Sequence, residues 1–128
     1  MRLLLDTHTF LWWVTDNSRL SDEARRLVAD GANEVFLSVA SAWEIVVKAA
    51  LGRIQLDDDV DSFIGGQVEA NAFQVLPIHL RHALAVGGLP DLHRDPFDRM
   101  LVAQALSEGL AIVSADRQLA QYPVEVAW

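Results

Sequence analysis

The chain contains no cysteine, so neither a disulfide framework nor a thiolate zinc site is available to it. It also lacks a long apolar run, because charged residues break its hydrophobic stretches, and this argues against a transmembrane span. Asp6 interrupts the apolar N-terminal segment too early for the core of a secretory signal. From these absences we expect a cytoplasmic protein that does not associate with a membrane.

Positive charge is scarce. Ten Lys and Arg residues stand against 18 Asp and Glu residues, the net charge is -8, and Lys48 is the only lysine. This balance argues against broad electrostatic binding of nucleic acid, which depends on clustered basic residues. It does not exclude a nuclease, since bound cations reverse the local charge. The length of 128 residues, 52% of them hydrophobic, predicts a single domain over residues 1–128.

Short apolar segments alternate with helical patterns along the chain. We predict strands at residues 2–6, 34–38, 73–78, 110–114 and 124–127. Helices are predicted between them, one of which Ser41 opens and another of which begins at Asp95-Pro96 and runs to Glu108. A short helix is expected after Asp116. Strands that alternate with helices predict an α/β fold with a mostly parallel sheet.

Four acidic residues stand where a predicted strand ends or a helix begins: Asp6, Glu44, Asp98 and Asp116. Because strand ends in an open α/β sheet converge on one crevice, these carboxylates can crowd one small volume. Such crowding is unfavourable unless a cation neutralises the cluster or some of its members are protonated. Hard divalent cations such as Mg²⁺ prefer oxygen ligands, so the pattern predicts a metal-dependent phosphodiesterase site.

Each acid also has a structural alternative, because carboxylates stabilise helix N-termini. Asp6 and Asp116 could each cap the helix that follows. Ser41 and Glu44 fit the capping-box pattern. Asp98 could interact with a helix dipole, although Asp95 is the better cap of that helix. The coincidence of four acids at equivalent points favours the shared site.

Other polar residues are weaker candidates. Thr7 could support the cluster or the turn after the first strand. Arg99 could contact phosphate or pair with a neighbouring acid. Lys48 lies four residues after Glu44, where it could form a helical ion pair or meet substrate.

The histidine and tryptophan residues are weaker evidence for a function than the acidic residues are. We expect no histidine metal site, because His79 and His82 have no third ligand at a convincing spacing and His93 lies in a different loop. Trp12 and Trp13 are expected to divide between the core and a protein interface. Stacking with an RNA base is the less favoured interpretation, since no basic residues interleave with the two tryptophans.

Four stretches of the chain resemble the PIN-domain family, specifically its VapC-type toxin ribonucleases of type II toxin–antitoxin pairs. They are Leu3–His8 (LLLDTH), Ser38–Ile45 (SVASAWEI), His93–Gln104 (HRDPFDRMLVAQ) and Ser114–Asp116 (SAD). The resemblance extends over the whole chain, and the third stretch is the most specific. Many relatives have threonine in place of Ser114, and the hydroxyl is retained here.

The resemblance implies a five-stranded parallel sheet with helices on both faces and a carboxylate pocket for Mg²⁺ or Mn²⁺. It implies cleavage of RNA by metal-activated water. Asp6, Glu44 and Asp98 would be the core acids and Asp116 a more variable fourth, with Ser114 in a supporting position. A cognate antitoxin and a homodimer are also implied.

Three other functions stay open: a non-catalytic module on the same fold, a DNA-directed nuclease, and a phosphoacceptor receiver domain. A receiver would need paired acids after its first strand, an Asp at the end of its third and a Lys at the end of its fifth. Here Asp6 stands alone, Pro77-Ile78 ends the third strand, and Lys48 lies within a helix. The receiver is therefore the least favoured of the three.

Overall fold

The computed structural model describes residues 1–128. Its strands are β1 (Arg2–Leu5), β2 (Glu34–Ser38), β3 (Gln74–Leu76), β4 (Ala111–Val113) and β5 (Val126–Ala127). Its helices are α1 (Thr7–Val14), α2 (Asp22–Ala29), α3 (Val39–Ala50), α4 (Val60–Ala70), α5 (Leu80–Val86) and α6 (Pro96–Glu108). No helix combines the length and the apolar character that a membrane crossing requires.

The five strands form one sheet in the order β3-β2-β1-β4-β5, and every neighbouring pair is parallel. In the centre, Leu4 pairs with Phe36 on one side and with Ile112 on the other. The predicted α/β class is thus confirmed. The order also excludes the receiver alternative, because receiver domains place their third strand beside the first, in the order 2-1-3-4-5.

Apolar residues on both faces of the sheet explain why its strands are almost continuously hydrophobic. Side chains alternate along a strand, so Leu3 and Leu5 enter one core cluster and Leu4 enters the other. The first cluster is covered by α1 to α4. The second is covered mainly by α6, through residues such as Leu101 and Ala105. Helices on both faces were predicted, and both faces are covered.

The boundary of α3 was predicted wrongly. Strand β2 passes directly into α3, and Ser38 is at once the last strand residue and the N-cap, since its hydroxyl accepts a bond from the Ala40 N–H at 3.0 Å. Ser41 lies inside the first turn and is buried. The capping box, one of the two interpretations that the sequence left open for Glu44, is therefore absent, and the Glu44 carboxylate is available for other contacts.

Four strands are shorter than predicted, and the first of them, β1, ends at Leu5 rather than at residue 6. Strand β3 stops at Leu76, because Pro77 has no N–H to continue the ladder. Strand β4 covers three residues and β5 two. The helix expected after Asp116 is a single 3-10 turn, Leu119–Gln121.

Candidate active site

The site lies where the strand order of the sheet reverses. From β1 the chain adds β2 and β3 on one side, and later β4 and β5 on the other. Ligands of open α/β sheets bind outside the carboxyl ends of the strands at such a point. Asp6 follows β1 and Ser114 follows β4, and the Asp6 N–H extends the pairing by donating to the Val113 carbonyl at 3.1 Å.

A cavity of about 390 Å³ opens at this point. All four acids singled out from the sequence, Asp6, Glu44, Asp98 and Asp116, line it. The remaining lining residues are His8, Trp12, Arg19, Lys48, Asp95 and Ala115. The fold thus brings together carboxylates that are separated by up to 110 positions in the printed sequence.

Asp6 occupies the N-cap position of α1, but its carboxylate bonds to no N–H of that helix. It accepts a hydrogen bond from the Ser114 hydroxyl at 2.6 Å instead. Burial raises the pKa of the Asp6 carboxyl, and the Ser114 bond partly opposes that rise. The capping alternative therefore does not describe this side chain, which faces the cavity.

Glu44 is 2% exposed and is held at both oxygens. The Thr7 hydroxyl donates to Oε1 at 2.6 Å, and the Lys48 ammonium donates to Oε2 at 2.5 Å. A further hydrogen bond of 3.0 Å joins the hydroxyls of Thr7 and Ser41. Thr7 and Lys48 thus both contact the cluster, and the predicted helical pair of Lys48 with Glu44 forms.

Asp98 and Asp95 divide two functions at the start of α6. Asp95 caps the helix, accepting bonds from the Phe97 N–H at 2.8 Å and the Asp98 N–H at 3.2 Å. Asp98 is therefore not needed as the cap, and it lines the cavity. Burial, and after it the negative charges of Asp6, Asp95 and the other acids, together raise the pKa of Asp98 to about 8.

Asp116 both caps the turn that follows it and lines the cavity, so its geometry agrees with both interpretations that the sequence left open. Its Oδ1 accepts a bond from the Gln118 N–H at 2.9 Å, which stabilises the following turn. Its Oδ2 lies 3.3 Å from Nε2 of His93. The Asp116 N–H donates to the Ser114 hydroxyl at 3.0 Å, so Ser114 links this acid to Asp6.

His93 is the residue of this cluster that the sequence prediction missed. Its Nε2 lies 3.0 Å from Asp98 Oδ2, and one ligand-type atom from each of His93, Asp98 and Asp116 falls within 4.8 Å of the others. The loop before α6 folds back so that the Asp95 N–H donates to Nδ1 at 3.3 Å. The available signal was the spacing of His93 two residues before the cap and five before Asp98.

His79 and His82 together form a helix cap. His82 is fully buried at the start of α5. Its Nδ1 accepts a bond from the His79 N–H at 3.0 Å, and its Nε2 lies 2.8 Å from the Glu108 carboxylate. Both ring nitrogens are therefore occupied by bonds that hold α5 against α6.

Arg99 does not line the cavity, and it pairs with no acid. Its guanidinium donates to the carbonyls of Val86 and Pro90 at 3.2 and 2.9 Å and to the Tyr122 hydroxyl at 3.2 Å. These bonds anchor the segment between α5 and α6, so the expected contact with phosphate or with an acid is not formed. These contacts could not be predicted from the sequence, because hydrogen bonds to backbone carbonyls leave no pattern of residue types.

The donor set of the cavity suits a hard divalent cation. It is dominated by carboxylate oxygens, which Mg²⁺ and Mn²⁺ prefer. Burial is the first cause of the raised pKa of Asp98, and the negative charges of the neighbouring acids are the second. A bound cation would reverse that effect, since it would be the largest local charge. The residues therefore fit a metal centre.

Comparison with known proteins gives the family. The PIN domain matches residues 3–125. The chain is 32% identical over 118 residues to Ribonuclease VapC22 of Mycobacterium tuberculosis, and the match covers 91% of this chain and 88% of that protein.

Solved structures show the same fold. A chain in the structure of VapBC2 from Rickettsia felis, bound to a DNA fragment from their promoter, superposes with a TM-score of 0.72 at 12% identity. The superposition covers 99% of this chain and 98% of that one. DNA-bound VapBC from Salmonella typhimurium gives a TM-score of 0.69 at 18% identity, with 99% and 97% covered. These structural likenesses show the fold, and together with the sequence matches they establish that the chain belongs to the PIN-domain family, in its VapC-type group.

Proposed function

We propose that this protein is a divalent-metal-dependent endoribonuclease that acts in the cytoplasm as the toxin of a toxin–antitoxin pair. The observation that carries the proposal is the convergence of Asp6, Glu44, Asp98 and Asp116 on one cavity at the switch point of the sheet. The 32% identity to Ribonuclease VapC22 supports RNA as the substrate.

The four carboxylates would hold Mg²⁺ or Mn²⁺, directly or through water. When bound, such an ion activates water for attack on a phosphodiester and stabilises the developing charge. The chain's own contribution is to position the ligands. Ser114 fixes Asp6, Thr7 and Lys48 fix Glu44, and the cap made by Asp95 leaves Asp98 free to face the substrate.

Cleavage of an RNA panel by purified, partner-free protein tests the proposal. The reactions contain Mg²⁺, Mn²⁺ or chelator, and they compare the wild type with Asp98→Asn and with Asp57→Asn, which removes an exposed acid outside the cavity. Circular dichroism checks that each variant is folded. We expect metal-dependent cleavage that Asp57→Asn retains and Asp98→Asn loses.

The same panel made of DNA separates the alternatives. Cleavage of DNA in preference to RNA would favour the DNA-directed nuclease. No cleavage of either polymer by folded protein, under any metal, would favour the non-catalytic module.

An antitoxin is the proposed protein partner. The structural neighbours from Rickettsia felis and Salmonella typhimurium are VapBC assemblies, and a net charge of -8 suits a basic partner. A small basic protein that copurifies with this chain should form a stoichiometric complex and suppress cleavage. Copurification without any effect on cleavage would contradict the antitoxin role.

A homodimer is proposed through an apolar surface that α3, α5 and α6 share. A cavity of about 260 Å³ lies there, lined mainly by hydrophobic residues that include Ala83 and Met100. Trp43 is 59% exposed on its wall and packs edge-on against Phe97, with 5.1 Å between ring centroids. Light scattering should show a dimer that Trp43→Glu disrupts and that Leu51→Glu, a matched change at another exposed position, leaves intact.

A further inference from the structure

The wall of the acidic cavity carries an aromatic surface as well as carboxylates. His8 and Trp12 lie four residues apart on α1, hence on one face of the helix, with their ring centroids 5.8 Å apart. Both residues line the same cavity as Asp6. His8 is exposed, and Trp12 is half-buried, with Trp128 supporting it at a centroid distance of 5.8 Å. The two rings thus form a braced surface at the edge of the site.

The neighbouring tryptophan is used differently. The Trp13 indole N–H donates to the Asn71 side chain at 2.9 Å, and the residue does not line the cavity. Trp13 therefore serves to attach α1 to α4. Trp12 packs against the core as well, but it also presents part of its ring to the cavity.

A positive charge completes this wall. Arg19, from the segment between α1 and α2, is exposed and lines the cavity, and its guanidinium makes neither an ion pair nor a hydrogen bond within the chain. Lys48, the other cation in the wall, is already bonded to Glu44. Arg19 is thus available to an anionic ligand. Base stacking was the less favoured interpretation of the sequence because no basic residue interleaves with the tryptophans. In the fold, Arg19, seven positions after Trp12, reaches the same cavity wall.

We propose that His8, Trp12 and Arg19 form a nucleotide subsite beside the acidic cluster, where an unpaired RNA base stacks on the aromatic surface and an adjacent phosphate meets Arg19. This inference rests on the proposed ribonuclease function and adds the residues of this chain that would contact an unpaired nucleotide beside the acids. Stacking on aromatic side chains accepts any base, and it requires a base that is free of duplex pairing. Arg19 would also offset the repulsion between the phosphates and the acids.

Binding of a fluorescently labelled RNA decamer tests the subsite, followed by anisotropy in Mn²⁺. Every protein carries Asp98→Asn so that the RNA stays intact during the measurement. The variants are Trp12→Leu, Trp12→Phe, His8→Ala and Arg19→Ala. The matched controls are Trp13→Leu, the same change on the same helix but outside the cavity, and Arg53→Ala, an exposed arginine elsewhere.

Trp12→Leu should weaken binding roughly 5- to 150-fold, the range expected for loss of one stacked base. Trp12→Phe should retain most of the affinity, and His8→Ala tests the same surface at an exposed position that cannot disturb the core. Arg19→Ala should reduce the slope of log affinity against log salt by about 1. Both controls should bind as the parent does, and a duplex of the same sequence should bind more weakly.

An abasic scan of the decamer locates the stacked base. One abasic position should weaken binding to the parent protein and have no effect on Trp12→Leu. The inference would be overturned if Trp12→Leu bound RNA as tightly as Trp13→Leu, if the duplex bound equally well, or if the parent bound no decamer. The metal-dependent cleavage assay on wild-type protein judges the ribonuclease function separately, so failure of the subsite and failure of the function are distinguishable.

Discussion

The Nε2 atom of His93 lies 3.0 Å from Oδ2 of Asp98, which ties the loop before α6 to the first turn of that helix. Because Nδ1 of His93 accepts the Asp95 N–H, the ring proton is on Nε2, and it is shared between Asp98 and Asp116. The imidazole ring thus bridges the side chains of Asp98 and Asp116.

Loss of that bridge should loosen the metal centre. We expect His93→Ala to weaken Mn²⁺ binding by roughly tenfold or more, the usual cost of removing a residue that orients metal ligands. His93→Gln, which keeps an N–H donor, should recover part of the affinity. Calorimetric titration measures both variants, and tighter Mn²⁺ binding by His93→Ala would show that the histidine competes with the ion.

Asp98 should make the metal-free protein less stable as the pH rises. The pKa of Asp98 is about 8 in the folded chain against 3.8 for an unperturbed Asp carboxyl, so between these pH values the unfolded chain releases a proton that the folded chain retains. The stability that the protonated group contributes is complete below pH 4 and is lost as the pH rises towards 8. Asp98→Asn lacks this dependence and should gain stability over the wild type with increasing pH.

Urea unfolding in chelator at pH 5 and at pH 8 measures the difference. Each pKa unit corresponds to about 1.4 kcal/mol, so the advantage of Asp98→Asn should be several times larger at pH 8 than at pH 5. Asp57→Asn is the control and should show no such trend. Addition of Mn²⁺ at pH 8 should stabilise the wild type and reverse the order of the two proteins. An equal advantage at both pH values would mean that Asp98 ionises normally.

The sheet and the acidic cluster were predictable from sequence, because both depend on local patterns. Apolar composition predicts strands such as residues 34–38. The preference of Asp for the N-cap and of Pro for the first helical position predicts the start of α6 at Asp95-Pro96. Asp6 directly follows β1, Asp116 lies three residues after the end of β4, and parallel strand ends must share an edge. The class of fold therefore determines that the acids meet, whatever the details of packing.

What the sequence did not reveal depends on contacts between distant segments. His93 reaches the acids only because its loop folds back, and Arg19 reaches the cavity only through the turn after α1. Ser38 and Ser41 are equally good caps by residue type, and the absence of a loop after β2 decides between them. Arg99 donates to backbone carbonyls of the segment between α5 and α6, and these contacts depend on tertiary packing.

Ser114 should be essential for the position of Asp6 although it carries no charge. Its hydroxyl donates to Asp6 and accepts from the Asp116 N–H, and all of these groups are at least partly buried. Ser114→Ala should raise the pKa of Asp6 further, weaken Mn²⁺ binding by about tenfold and lower cleavage accordingly. Ser114→Thr keeps the hydroxyl and should retain both properties.

Calorimetry and RNA cleavage, run side by side on the two variants, check this prediction. A Ser114→Ala protein with unchanged affinity for Mn²⁺ would show that Asp6 needs no support from the Ser114 hydroxyl. An equal loss in Ser114→Thr would point to a steric effect of the added methyl group at this buried position.

Lys48 should stabilise the metal-free site by balancing the charge of Glu44. Glu44 is 2% exposed, and the ammonium group at 2.5 Å is its only cationic partner. Lys48→Met keeps the aliphatic stem but leaves the buried carboxylate with the Thr7 bond alone, so the free energy of unfolding in chelator should fall by about 1–3 kcal/mol. Glu44→Gln removes the need for a counter-charge, and the double variant should therefore be more stable than the sum of the two single changes allows.

Mn²⁺ should restore much of the stability of Lys48→Met, because the ion would supply the missing positive charge. Urea unfolding of the four proteins with and without Mn²⁺ gives the coupling energy, and strict additivity in chelator would contradict an electrostatic role for Lys48.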